Sequence, residues 1–187
     1  LGLHLRHALA RGAPPVARGR VSHTATRTYL EMRAASQLRP TPLPVGAKAA
    51  RVFDCPPASW RRLYGEVGRA YRWTDRLQWT DDEIVAYLAD PAIQLWVLTV
   101  DETTAGYFEL RRYPDGAIEI AYFGLLPGFV GRGLGKALLS AAAAEAWRAG
   151  AVRVWLHTST LDHPAALPNY LARGFEIFKR ETYQVSP

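Results

Sequence analysis

The sequence predicts a single mixed α/β domain, one sheet of antiparallel and parallel strands with helices against it, and three observations carry that prediction. Between residues 93 and 126 lie three strand-length apolar runs, IQLWVLTV, AGYFELRR and AIEIAYFGLL, parted only by the polar DETT and the turn-like YPDG. Runs so closely spaced make an antiparallel meander. The third run leads through a glycine-rich stretch and a helical segment into the alternating AVRVWLHT, an order that implies a βαβ crossover and two parallel strands. At 187 residues, 49% hydrophobic and 21% charged, the chain suits one well-buried core and is short for two.

The elements follow in order. RTYLEMR, residues 27–33, alternates Thr28, Leu30 and Met32 with Tyr29, Glu31 and Arg33, the pattern of a half-buried strand. LRPTPLPVGAKAA reads as a connector from its prolines and glycine. Pro57 opens a helix with Trp60, Leu63, Tyr64 and Val67 at helical spacing. Thr80 and Glu83 form a capping box for a second helix, acids fill its first turn, and Pro91 follows its end. After the meander a helix is expected over about 133–148, closed by Gly150, with Leu138, Ala142 and Ala146 in a row whose small side chains bring it close to a sheet. In residues 151–158, Val152, Val154 and Leu156 alternate with Arg153, Trp155 and His157. A short helix in PAALPNYLAR and a last strand, FEIFKRETYQV, complete the sheet, and no internal repeat is visible.

The formal net charge of +6 is unevenly spread: residues 1–48 carry eight Lys and Arg against Glu31 alone, whereas residues 49–187 hold 15 basic and 16 acidic groups. The folded part thus lacks the basic face on which counterion release depends, so no nucleic-acid partner is expected. No run approaches the roughly 18 apolar residues of a membrane span, so no membrane partner is expected either. The first 25 residues, Arg-rich and acid-free, superficially resemble an organellar transit peptide and are too interrupted for a secretory signal. They read as a basic, disordered extension (1–25) ahead of one domain (26–187). The single Cys55 excludes an internal disulfide framework and a Cys-based metal cluster. A cytoplasmic setting without a metal is the expectation.

LLPGFVGRGLGKALL, residues 125–139, places Gly131, Gly133 and Gly135 at alternate positions at the opening of the long helix. A strand ending in such a turn offers free backbone N–H groups to an anion at the positive end of the helix dipole. A Walker loop would need Gly and Ser or Thr where Val130 and Ala137 stand. A dinucleotide fingerprint would need G-x-G-x-x-G, whereas this loop is G-x-G-x-G and its strand follows a meander.

The stretch does resemble the acetyl-CoA pyrophosphate loop of the GNAT superfamily of N-acetyltransferases, whose usual pattern is Gln or Arg, any two residues, Gly, any residue, then Gly or Ala. Here it reads Val130-Gly131-Arg132-Gly133-Leu134-Gly135, with Val130 departing at the first position. PAALPNYLARGF, residues 164–175, is similar to the family's later signature: Ala166, Tyr170, Gly174 and Phe175 fall at its offsets, with His163 where Asn is common and Pro168 unusual within the helix. The resemblance covers roughly residues 50–187 and has no counterpart for the first 25. It implies a GNAT-like fold whose central parallel strands splay apart, and acetyl-CoA as cosubstrate. It also implies transfer of acetyl to an amine by direct attack in a ternary complex.

The resemblance further implies site residues. Backbone amides from Val130 through Gly131, Arg132, Gly133, Leu134, Gly135 and Lys136 would hold the pyrophosphate, and the backbone of Leu125 and Leu126 would pair with the pantetheine arm. Tyr170 would be the general acid for the departing thiolate. Glu119, on the strand where several relatives carry a base, and His157, near the splay, are rival bases, with water alone as a third route. Glu109 is a weaker candidate. The segment from Trp60 to Tyr87 carries aromatic residues and carboxylates suited to an ammonium, while Arg72 and Arg76 suit a carboxylate. The preferred acceptor is a small-molecule amine or amino acid. The alternatives are a protein Lys or N-terminus, or no acceptor at all in a non-catalytic acyl-CoA sensor. A homodimer is common among relatives.

Overall fold

The computed structural model describes residues 23–185. Seven strands form one sheet in the order β2-β3-β4-β5-β6-β1-β7. They are β1 (His23–Met32), β2 (Ala47–Val52), β3 (Ile93–Val100), β4 (Thr103–Arg112), β5 (Ala117–Leu125), β6 (Arg153–Ser159) and β7 (Glu176–Val185). Helices α1 (Pro57–Gly68) and α2 (Asp81–Ala89) cover one face, and α3 (Leu134–Arg148) and α4 (Ala166–Ala172) the other. Among the described residues no helix is long and apolar enough to cross a membrane.

Local chemistry explains the elements. Pro57 occupies the first turn of α1, and at α2 Thr80 Oγ1 accepts the Glu83 N–H (3.2 Å) while Glu83 Oε2 accepts the Thr80 N–H (2.7 Å). At the end of α3, Ala151 N–H donates to Ala146 O and Gly150 N–H to Trp147 O, a Schellman closure. Leu138, Ala142 and Ala146 are fully buried, and the two alanines let α3 lie close on the sheet. The meander β3-β4-β5 is antiparallel, and β5 and β6, joined through α3, are parallel.

Two elements differ from the expectation. Ala47–Val52 forms an edge strand on β3, where the sequence read a connector running to Ala50. Its Ala-Lys-Ala-Ala core has little intrinsic strand preference, and the ladder to β3 decides its conformation. Strand β1 begins at His23, so His23–Ala25 belong to the sheet, with Ala25 buried. The rest of the expected extension, residues 1–22, lies outside the described residues.

The most consequential feature is where β1 sits. It runs between β6 and β7, antiparallel to both, with Leu30 and Met32 buried beneath α3 and Tyr29 and Glu31 on the opposite face. Strand β6 stays with β1 as far as Ser159, and β5 stays with β4 as far as Leu125. The two parallel strands share only the rungs Ala117↔Arg153, Ile118↔Val154 and Glu119↔Trp155. Beyond Glu119 they part.

Candidate active site

The parting of β5 and β6 opens a cleft of ≈ 1550 Å³. At one end lies the glycine loop. Gly131 (φ +82°) and Gly133 (φ +73°) hold left-handed backbone that L side chains rarely adopt, and Gly133 is the N-cap of α3 with no side-chain cap of its own. The N-cap therefore offers no side-chain acceptor to the first amides of α3, and Gly133, Gly135 and Lys136 line the cleft. This is a donor cradle at the positive end of a helix dipole, and it fits a pyrophosphate. Val130 also lines the cleft. Arg132 instead stands over the Phe129 ring (4.9 Å), and Leu134 is buried in the core, so neither side chain contributes to the wall.

Along β5, Leu126 N–H donates to Ala105 O (2.8 Å). Strand alternation then turns the backbone groups of Leu125, one residue earlier, away from β4 and toward the open side. Leu125 lines the cleft, whereas Leu126 is packed beneath α1. Tyr170 projects from α4 with its ring between Phe123 (6.2 Å) and Phe175 (6.3 Å) and is buried, yet it reaches the cleft. Burial, with the nearby negative charge of Asp162, pushes its hydroxyl above the ordinary 10.0. The α4 helix is seated by Gly174 (φ +100°), where any Cβ would collide with the Gln37 carbonyl oxygen.

Glu119 and His157 meet where the strands divide. The Glu119 side chain is 8% exposed, its Oε2 accepts the Tyr113 hydroxyl (2.7 Å), and its Oε1 lies 3.5 Å from His157 Nδ1. The His157 ring is more open, 37% exposed, with the rings of Tyr29 (5.7 Å) and Trp155 (6.5 Å) beside it. Tyr113 in turn packs on Trp155 (5.8 Å) behind the pair. A carboxylate behind an imidazole is an arrangement that accepts a proton and stabilises the resulting cation.

The wall over β4 and β5 is a buried polar network. The fully buried Glu109 carboxylate accepts Trp60 Nε1 (2.8 Å), Arg76 Nη1 (2.9 Å) and the Tyr87 hydroxyl (2.7 Å). Arg76 also donates to Tyr87 (3.0 Å) and lies 4.0 Å over the Tyr122 ring. The two charges are paired with each other, so the Glu109 carboxylate already accepts three hydrogen bonds and the Arg76 cation is already neutralised. Next to it Asp75 accepts the hydroxyls of Tyr64 and Tyr122 and lines the cleft.

A family model described as the acetyltransferase (GNAT) family matches residues 58–175. The chain belongs to the GNAT family of acetyltransferases. An uncharacterized N-acetyltransferase of Mycobacterium tuberculosis strain H37Rv is 33% identical to this GNAT chain over 143 residues, 75% of the chain and 86% of the relative. A GCN5-related N-acetyltransferase from Kribbella flavida shares the fold (TM-score 0.62, 21% identity), covering 86% of this chain. The chain spans 57% of that protein's length. An aminoglycoside acetyltransferase from an uncultured soil sample, solved with sisomicin, is similar over 68% of this chain and 86% of its own (TM-score 0.55, 13% identity).

Within this GNAT frame, sequence reasoning had Glu119 and His157 as rivals and did not see that they touch, because the register of β5 and β6 is a tertiary property. It also left out Tyr113, and it had Tyr64 and Asp75 within the aromatic and acidic segment without Tyr122, which joins them in one cluster. The signal for that cluster was present in the aromatic and acidic density of residues 60–87, but Tyr122 lies on a distant strand.

Proposed function

We propose that the chain transfers acetyl from acetyl-CoA to a primary amine of a small molecule or amino acid, by direct attack in a ternary complex. The observation that carries this reading is the Glu119–His157 pair at the fork of β5 and β6, in the same cleft as the uncapped start of α3. Bound acetyl-CoA supplies the activated acyl group as a thioester. The amides from Gly131 to Lys136 hold its pyrophosphate, and the outward backbone of Leu125 aligns its arm. His157 takes the proton of the attacking amine on Nε2, and Glu119 at Nδ1 orients the ring and offsets its positive charge. Tyr170, kept protonated by its raised pKa, gives a proton to the departing sulfur.

A thiol-release assay across single amines, amino acids and peptides tests the reading. Turnover of single amines or amino acids supports it. Turnover of peptides alone would shift it to a protein acetyltransferase, and tight acetyl-CoA binding without turnover would make the chain a sensor.

A further inference from the structure

Beyond His157 the cleft is walled by the first and last strands, and among the described residues one arginine there has no ion-pair partner. On β1 and β6, Tyr29 pairs with His157 and Arg27 with Ser159. Leu30 and Leu156 point into the core under α3, so Arg27, Tyr29, His157 and Ser159 share the opposite face. The Arg27 guanidinium stands 5.1 Å over the Tyr183 ring, and Arg27, Ser159 and Tyr183 all line the cleft. Its Nε–H is buried without an acceptor in hydrogen-bonding geometry, although the neighbouring Tyr29 hydroxyl outweighs burial and, with the Glu181 charge, favours the guanidinium cation. Among the described residues it has no ion-pair partner: Glu181, opposite Arg27 on β7, is engaged by the Lys179 ammonium and by the Tyr29 hydroxyl (2.7 Å). A buried donor without an acceptor is costly to keep, and at the wall of a cleft it points to a ligand that supplies the missing oxygen.

We propose that Arg27 seats the carboxylate of the acceptor, so that the substrate is an amino acid rather than a plain amine. This rests on the function proposed above, with His157 at the reacting nitrogen. Two residues of strand separate the Arg27 and His157 positions by ~7 Å. An α-amino carboxylate with a hydrogen bond of about 2.9 Å at either end reaches about 8–9 Å, and the long Arg27 side chain makes up the difference. A guanidinium fork matches the planar carboxylate. The hydroxyls of Ser159 and Tyr183, hydrogen-bonded to each other (2.8 Å), border it with neutral donors. One cation with no ion pair among the described residues, its nearest carboxylate Glu181 already engaged by Lys179 and Tyr29, suits one negative charge, where a phosphate would bring about −1.5 to −2. Of the two arginines the sequence offered for this task, Arg76 is already paired with Glu109, and Arg72 also lines the cleft but lies on the turn after α1, away from the β1 and β6 strands that carry Arg27 and His157.

The test compares L-amino acids with their carboxamides as acceptors in a thiol-release assay, for wild type, Arg27→Gln and Arg27→Lys, with calorimetry of acetyl-CoA binding alongside. The wild type is expected to favour the acids. Arg27→Gln should lower kcat/KM for the acids roughly 10- to 100-fold, chiefly through KM, as expected for loss of a charged hydrogen bond. The same variant should leave the carboxamides and acetyl-CoA affinity unchanged. Arg27→Lys, which keeps the charge and loses the fork, should fall between, and it carries the test if the Gln variant does not fold. Equal use of acids and carboxamides, or equal loss for both in Arg27→Gln, overturns the proposal, as does acetyl-CoA binding without turnover of any amino acid. Failure of the wild type to bind acetyl-CoA would instead strike the underlying reading and bring this proposal down with it.

Discussion

His157 Nδ1 lies 3.5 Å from Glu119 Oε1, at the fork where the two parallel strands of the sheet separate. Two groups that act as one base lose their effect together, so their substitutions are not additive. Glu119→Gln and His157→Gln are each expected to lower kcat, by up to about 10²–10⁴-fold for the residue that moves the proton. The double variant should lose no more than the worse single one. Steady-state kinetics of all three checks this, and losses that multiply would show two independent roles.

Tyr170 is expected to act on the rate and not on cofactor binding. Tyr170→Phe should reduce kcat by about 10²-fold with acetyl-CoA affinity unchanged. Because burial and Asp162 raise its pKa above 10.0, the protonated form persists, and the wild-type rate should show no alkaline decline from this group below pH 10. A loss of acetyl-CoA affinity matching the loss of rate would reduce Tyr170 to a packing residue.

Glu109 is a structural charge. Glu109→Ala would strand the buried Arg76 guanidinium and the Trp60 and Tyr87 donors. Breaking a buried pair from one side costs about 3–5 kcal/mol, and urea denaturation should show a loss of that size. A loss below about 1 kcal/mol would mean that water replaces the carboxylate and the wall is looser than described.

Asp75 couples stability to pH. Burial pushes its carboxyl up, but the Tyr122 and Tyr64 hydroxyls outweigh that and hold it below the ordinary 3.8. A carboxyl whose folded pKa is lowered stabilises the fold above its unfolded pKa and loses that contribution as pH falls through the folded value. The melting temperature of Asp75→Asn should therefore lie below that of the wild type at pH 7, with the gap narrowing below about pH 4. A gap independent of pH would show that the charge is not what the two tyrosines hold.

The local elements were legible because local chemistry sets them: the Thr80–Glu83 box, Pro57, the Gly150 closure, the apolar runs of β3 and β5 and the alternation of β6 all form where their residues stand. Ala47–Val52 was missed because its strand state comes from pairing with β3, and the slot of β1 between β6 and β7 is set by contacts across the whole chain. The same division holds in the site. The loop's backbone geometry follows from its glycines, whereas the Glu119–His157 contact and the neutralisation of Arg76 by Glu109 depend on register and on folding of residues 60–87 over the sheet. The position of Arg27 at the cleft depends likewise on the placement of β1 beside β6.

The most direct test of the central claim is calorimetric titration of acetyl-CoA into the wild type and Gly135→Glu. Gly135 is preferable to Gly133 because its backbone needs no left-handed angle and a Cβ there meets nothing closer than Leu125 Cδ1 at 4.0 Å. A glutamate in the first turn of a helix is itself tolerated or favourable, so the fold should persist, while its carboxylate repels a pyrophosphate at the same amides. Binding by the wild type, lost in a Gly135→Glu protein of unchanged melting temperature, is the predicted result. Equal binding by both, or none by the wild type, would contradict the assignment of the loop and the acetyl transfer built on it.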